Sequence, residues 1–487
     1  MLSNMQTIEH KILLKGGSVF TETGFLKRDV LLSEGKIQAV EKQIEADLDC
    51  EVFDISGCVV SPGFVDLHTH LRQPGDEISE TLYSGSQAAA FGGYTSVTAM
   101  ANTDPVTDDP ATVLQLQAMA APIPIKINIA ASITKGRKGE TLSPLAELAA
   151  LGVKLFSDDG IGVQDGQLMR QALLYARNLN VILAQHSEDE LYCEQGCVNE
   201  GEVSARLGLK GRPAMAEEIM LQRDLTLVRE TSSRMHFMHL SSANSISLLK
   251  AAKAAGLPVT GEVTPHHISL TESLIESFDT VYKVHPPLRT AQDVYALREA
   301  FCDDVIDVLA TDHAPHGEER KEQPMDIASP GMLGLQTAFS VAYASICLAT
   351  EPLRSKDSVG KVDWTNQSLQ KSLLREISGS KEQKKIGPGE SLQSAKASLS
   401  SLLTGIINKM SVVPAKILGL SDHGQYIKAG VAANLCVIDL GGNWELTKEK
   451  ILSNSSNSPF TNIKLPGVIR HTFAYAIPVL VDTEVRF

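Results

Sequence analysis

Two histidines one residue apart, His68 and His70, close the apolar run in GFVDLHTHLRQPG (residues 63–75), with Arg72 at the next alternate position. On an extended strand alternate side chains share a face, so both imidazoles point one way, and Arg72 with them if the strand lasts that far. Alone, such a pair is as compatible with a polar strand end as with a metal site. The pattern recurs along the chain: Asp158 and Asp159 close VKLFSDD, His186 closes VILAQH, His239 closes MHFMH and Asp312 closes DVLATD. Taken singly, each is an ordinary strand cap or turn residue. Four imidazoles and two carboxylates gathered in one place are harder to explain as caps, because unpaired they would be costly, and the mixture suits Zn²⁺ or a similar divalent ion. Six donors (His68, His70, Asp159, His186, His239, Asp312) exceed the four of one tetrahedral zinc. The count therefore favours two ions sharing a bridging group, an arrangement that activates water and polarises a carbonyl. The chemistry expected is hydrolysis, or its reverse, at an amide-type carbon.

Gathering those donors requires a fold that brings strand ends together. Eight short apolar runs can be counted: VVSPGFVDLHTH, YTSVTAMAN, IKINIAASIT, VKLFSDD, VILAQHSED, MHFMHLSS, PVTGEVTPHH and DVLATDHAP. Helical patterns such as LSPLAELAAL, GQLMRQALLYARNL, AEEIMLQRDLTLVRE, SISLLKAAKAA and TAQDVYALREAF lie between them. Eight strands, each followed by a helix, predict an α/β fold of the (β/α)₈ TIM-barrel type, with functional groups at the C-terminal strand ends. A doubly wound open sheet is the rival, but no Gly-rich phosphate loop follows a strand where one would be needed. Both chain ends read instead as short strands with glycine-bearing turns, in HKILLKGGSVF, RDVLLSEGKIQAVE and EVFDISGCVV at the start and in ANLCVIDL and HTFAYAIPVLVD at the end. The expected organisation is β-rich segments at 1–60 and 425–487 around a barrel at 61–424. A polar stretch at about 352–397, rich in Ser, Lys and Gly, is expected to be an exposed insertion, partly helical, between late helices of the barrel.

The bulk properties narrow the function class. With 58 acidic against 44 basic residues and a net charge of −14, the chain offers no electrostatic footprint for nucleic acid or an anionic membrane. No run of about 18 apolar residues could cross a bilayer. The opening MLSNMQTIEHKILLKGG lacks the apolar core of a signal peptide, and the seven cysteines are scattered and odd in number. Reduced thiols in a cytoplasmic protein are the expectation.

The stretches DLHTHLRQPG, GGYTSVTAMANT, FSDDGIGVQD, AQHSED, GRPAMAEE, HLSS, EVTPHH, PPLR, ATDHAPH and PGMLGLQTA together resemble class I dihydroorotase, in the amidohydrolase superfamily. The resemblance runs from about residue 10 to the C-terminus, with 352–397 outside it. It implies a small β-sandwich built from both termini beside the barrel. It also implies the reversible zinc-dependent cyclisation of N-carbamoyl-L-aspartate to (S)-dihydroorotate in pyrimidine (UMP) biosynthesis, with two Zn²⁺ per subunit. His68, His70 and Asp312 would hold one ion, His186 and His239 the other, and Asp159 would bridge. Other branches of the superfamily bridge with a carboxylated lysine, so Lys154 in GVKLF is the alternative. Asp312 would also carry the proton between the attacking water and the leaving ring nitrogen. Arg72 and Asn102 would hold the substrate carboxylate, His285 and the backbone of Pro330 and Gly331 would meet the ring, and the loop of His316 and Gly317 would close over it. Two departures stand out: MANT carries Ala101 where proline is usual, and VHPPLR carries His285 where Asn is usual. A related cyclic amidase (hydantoinase, dihydropyrimidinase or allantoinase) is a second reading, which Arg72 disfavours for the first two because their usual substrates carry no ring carboxylate. A silent dihydroorotase-like subunit of an aspartate transcarbamoylase complex is a third, disfavoured by the complete ligand set. A small-molecule substrate, a homo-oligomer and a transcarbamoylase as candidate partner complete the expectation.

Overall fold

The computed structural model describes residues 11–348, 364–378 and 398–487. All eight expected strands form: β1 (Phe64–Thr69), β2 (Tyr94–Ala99), β3 (Lys126–Ile129), β4 (Leu155–Phe156), β5 (Ile182–Gln185), β6 (Met235–Phe237), β7 (Val259–Val263) and β8 (Val308–Leu309). They pair in parallel as β1-β2-β3 and β4-β5-β6-β7-β8. Single parallel bridges, Ala131 to Phe156 and Thr69 to His313, join the two sheets at both edges. Every residue of β1, β2 and β5 is buried, as befits parallel strands covered on both faces, and the sequence accordingly shows continuous apolar runs rather than alternation.

The helices return the chain from one strand to the next. Gly166–Ala176 is representative: Asp165 caps it by accepting from the Gln167 N–H (2.7 Å) and Leu168 N–H (3.3 Å), and Leu168, Met169, Ala172, Leu173 and Ala176 form its buried stripe. Thr290 and Asp293 cap Ala291–Cys302 reciprocally. The glycine-bearing turn after β4 aims the acidic pair. Asp158 O accepts from Gly162 N–H (2.9 Å), and Gly162 has φ +70° with room for no side chain, since a Cβ would sit 2.4 Å from His186 O.

Among the described residues the terminal segments make one continuous nine-stranded sheet, drawn from both ends of the chain. The strand Lys11–Thr21 serves both parts, pairing with Cys50–Asp54 through Lys11–Lys15 and with Val59–Pro62 through Ser18 and Val19, with a bulge between Leu14 and Gly17 against Gly24–Ser33. Ile12, Leu14, Val30, Phe53, Leu435 and Phe473 fill the core it encloses. One feature differs from the sequence reading: part of the polar stretch 352–397 is not exposed. Residues 367–377 are a helix whose Leu369, Leu373 and Ile377 are buried in the main core, and Trp364 packs edge-on against Phe460 at 6.0 Å. The rest of that stretch lies outside the described residues.

The docking of this helix is testable. Leu373 is fully buried, so Leu373→Ala should lower stability by about 2–5 kcal/mol in denaturant unfolding, whereas Lys371→Ala on the exposed face should stay within about 0.5 kcal/mol. Equal, negligible effects would mean the helix does not dock.

Candidate metal and substrate site

Every strand end singled out in the sequence delivers its residue to one place. His68 ends β1, and His70 extends it by donating its N–H to His313 O (2.8 Å). Asp159 follows β4, His186 follows β5, His239 follows β6 and Asp312 follows β8. Asp159 stands between the histidines. Its Oδ2 is 3.5 Å from His68 Nε2 and 3.3 Å from His70 Nε2, and its Oδ1 is 3.5 Å from His186 Nδ1 and 3.6 Å from His239 Nε2. Two groups of donor atoms able to hold a metal ion therefore share Asp159: one with His68 and His70, the other with His186 and His239. Asp312 Oδ1 lies beside the first, 3.1 Å from His70 Nε2 and 3.4 Å from His68 Nε2.

The donor set fits a divalent cation on two observations. His68 Nε2 and Asp159 Oδ1 are buried and have no hydrogen-bond partner, a state polar atoms rarely keep inside a protein. The electrostatics also call for positive charge there. Burial alone would lower the pKa of His68, yet Asp159 and Asp312 outweigh it and raise the pKa well above the ordinary value; for His186 the burial penalty is overcome by Asp159 and Glu188, to about 9. Asp312 is held low despite burial, by His68 and His70. Imidazolium charge thus gathers where the donor atoms converge, which a metal ion supplies while leaving the rings neutral.

On the first group the outward nitrogens are held as ligands require. His68 Nδ1–H donates to Glu262 Oε1 (2.8 Å), and His70 Nδ1–H donates to Asn102 Oδ1 (2.9 Å). Glu262 is fully buried, also accepts from His236 Nε2–H (2.9 Å) and the His239 N–H (3.2 Å), and its pKa is lowered to about 2 because His236 and His68 overcome its burial. Neither Glu262 nor His236 was singled out in the sequence. The only trace was the glutamate opening EVTPHH, at the mouth end of β7. Asp158, by contrast, turns away and accepts from the Ile133 and Thr134 N–H groups (2.8 and 3.0 Å).

A cavity of about 190 Å³ opens beside this cluster, lined on the cluster side by His70, Asp159, His186, His239 and Asp312. The same cavity is lined by the residues expected to meet substrate: Arg72, Asn102, His285, His316, Pro330 and Gly331. Arg72 arrives differently from the alternate-residue expectation. The strand stops at Thr69, and Arg72 sits in a tight turn at φ +57°, closed by Gln73 N–H to Leu71 O (2.6 Å). Its Nε–H donates to Pro315 O (3.1 Å). His316 Nε2–H donates to Pro330 O (2.8 Å), and Gly331 lies so close that a Cβ would meet Ala314 Cβ at 2.7 Å. Burial, with Arg212 nearby, lowers the pKa of His285 to about 3, so the ring is neutral, and its Nε2 is buried without a partner.

Lys154 is not brought to the site. It begins the β4 segment at the opposite end of the strand, on a separate cavity of about 170 Å³ with Thr98, Lys126 and Leu418. The clustered histidines and aspartates lie at or just past the C-terminal ends of their strands, whereas Lys154 precedes its strand.

A family description, Dihydro-orotase-like, matches residues 57–245. Dihydroorotase from Pelotomaculum thermopropionicum is 44% identical over 98% of this chain and 100% of its own length. Those of Streptomyces coelicolor and Mycobacterium tuberculosis are 38% and 37% identical, covering 97% and 94% of this chain and 99% and 96% of theirs. Among solved structures, L-hydantoinase from Arthrobacter aurescens superimposes with a TM-score of 0.78 at 20% identity, over 99% of this chain and 98% of its own. Dihydropyrimidinase from Brevibacillus agri gives 0.75 at 19%, over 98% and 96%. These two likenesses are of fold.

The Glu262 hub generates a prediction. Glu262→Gln should leave the fold intact and weaken retention of divalent metal about 10–100-fold, read as the rate of zinc transfer to a chelator. Wild-type retention would show that Glu262 does not orient His68.

Proposed function

The chain belongs to the dihydroorotase family, and from that premise we propose that the cavity beside Asp159 is its catalytic centre, holding two zinc ions at the mouth of a closed (β/α)₈ barrel. The reaction is the reversible cyclisation of N-carbamoyl-L-aspartate to (S)-dihydroorotate in pyrimidine biosynthesis, carried out by a metal-dependent cyclic amide hydrolase. The single observation that carries the site assignment is the convergence of Asp159 with four imidazoles beside a cavity that Arg72 also lines.

His68 and His70 with Asp312 would hold one ion, His186 and His239 the other, with Asp159 shared. Zinc bound there would supply the charge that makes a water acidic and polarises an amide carbonyl near neutral pH. The chain's own residues do the rest. Arg72 presents a guanidinium fork to the carboxylate that survives on the ring, and Asn102, fixed by His70, adds its amide. The Pro330–Gly331 backbone and the neutral His285 ring bound the ring-binding side. The Asp312 carboxylate, held ionised, accepts the proton of the attacking water and returns it to the ring nitrogen as the C–N bond breaks; in the direction of closure it takes the proton from that nitrogen. A cytoplasmic homo-oligomer, with an aspartate transcarbamoylase as candidate partner, completes the reading.

Arg72 separates this reading from a hydantoinase-like one, since a guanidinium lining the cavity has no counterpart on an uncharged ring. Ring closure of carbamoyl aspartate, run beside hydantoin and allantoin with a zinc count, tests the proposal; turnover of hydantoin alone would overturn it. Asp312→Asn should cost at least about 100-fold in kcat with metal still bound. Arg72→Lys should raise KM for carbamoyl aspartate about 10–100-fold with a smaller effect on kcat, because the bidentate hold on the carboxylate is lost.

A further inference from the structure

AQHSED, GRPAMAEE and PPLR stand far apart in sequence, and beyond His186 the mechanism uses none of their residues. In space they meet on the outer face of the His186 ring. His186 Nδ1 faces Asp159 Oδ1 (3.5 Å) and His239 Nε2 (2.9 Å), while Nε2–H donates to Glu188 Oε2 (3.2 Å). Glu188 is fully buried, two residues beyond His186, in a turn closed by its N–H to His186 O (3.1 Å). Arg212 grips it with a fork, Nη2 to Oε2 at 2.9 Å and Nε to Oε1 at 3.2 Å. The fork is itself fixed. Arg212 O accepts from Arg289 Nη1 (2.9 Å), Arg289 Nη1 also reaches Asn199 Oδ1 (2.7 Å), and Gly196 lies so close that a Cβ would meet Arg212 Cγ at 2.6 Å.

A buried ion pair adds little net stability over an apolar pair of the same size, so stability alone is a weak reason for this arrangement. Its geometry does something more specific. An acceptor held rigidly at Nε2 places the ring proton there, leaves the Nδ1 lone pair toward Asp159, and prevents the ring from flipping. The opposite side of the cluster is served by other elements, through Glu262 on His68 and Asn102 on His70.

We propose that Glu188, clamped by Arg212, is a positioning residue that fixes the His186 ring with Nδ1 inward and thereby sets how firmly the His186–His239 side keeps its metal, separately from the His68–His70 side. The inference rests on the two-metal reading above. It is tested with full-length protein loaded with Co²⁺ or Zn²⁺, by following stepwise metal transfer to a chelator and the visible ligand-field bands of the cobalt form. Glu188→Gln should weaken one of the two steps about 10–100-fold, leave the other within about twofold, and shift one set of cobalt bands. Arg212→Lys, which keeps the charge but loses the fork, should fall between wild type and Glu188→Gln. Equal weakening of both steps, or no change in either, overturns the proposal. Should Glu188→Gln fail to fold, Glu188→Asp carries the test with the same two readings. A wild-type protein that binds fewer than two ions, or does not close carbamoyl aspartate, would instead overturn the functional reading, so the two failures are distinguishable.

Discussion

The Asp159 carboxylate lies between 3.3 and 3.6 Å from ring nitrogens of four histidines carried on three different strand ends, and it is nearly inaccessible to water. A buried anion so placed is tolerable only with cationic charge around it, and nitrogen atoms in a ring around one carboxylate repel one another unless something electron-poor sits between them. That constraint orders the rest of the mouth. Each imidazole must turn a lone pair inward, and an acceptor on the outward nitrogen, itself held in place, fixes that orientation for His68, His70 and His186. Glu262 answers for His68 and Asn102 for His70, and the chain therefore spends buried polar residues well behind the surface of the cavity.

Backbone conformation shows how tightly the placement is imposed. His239 at φ +32°, Asp312 at +45° and Arg72 at +57° all occupy the left-handed region that ordinary side chains avoid. Strain of this kind is of order 1–3 kcal/mol for each residue and persists only where the surroundings over-determine the conformation. Here they do. The His239 N–H is tied to Glu262, and the Arg72 side chain is anchored to the backbone of Pro315. Of the left-handed residues in the structure, these three fall at the site: one histidine of the cluster, the carboxylate beside it, and the guanidinium that lines the same cavity.

The strands and their terminal donors were legible because burial on both faces writes a parallel strand as an apolar run, and a donor ending such a run is conspicuous. What escaped had no local signature. Glu262 lies inside a strand and His236 in the middle of another, and only the cross-strand pairing of β6 and β7 brings them together. The reach of Arg72 into the cavity was expected from strand periodicity, but the strand ends at Thr69 and a left-handed turn does the work instead. Lys154 and Asp159 differ by five residues and could not be separated by residue type; they are separated by the length of β4, which puts them at opposite ends of a strand. The burial of the helix at 367–377 was hidden by its polar neighbours, since its apolar positions recur only at helical spacing within a stretch rich in Ser and Lys.

The two walls of the cavity divide the chemistry between rigid and irregular structure. The cluster side is built on strand ends cross-braced by buried carboxylates, which suits residues that must not move relative to one another. The facing side is built from connecting segments, around His285, His316 and Pro330–Gly331, joined by backbone contacts such as Gly331 N–H to Lys283 O at 2.9 Å. A larger cavity of about 430 Å³ exists between Phe91, Phe339, Trp444 and Leu452, yet it gathers no comparable set of metal donors. Volume alone would select the wrong place. The smaller cavity is set apart because it joins a charge-demanding cluster to a guanidinium, the pairing that an amide bond in a ring bearing a carboxylate requires.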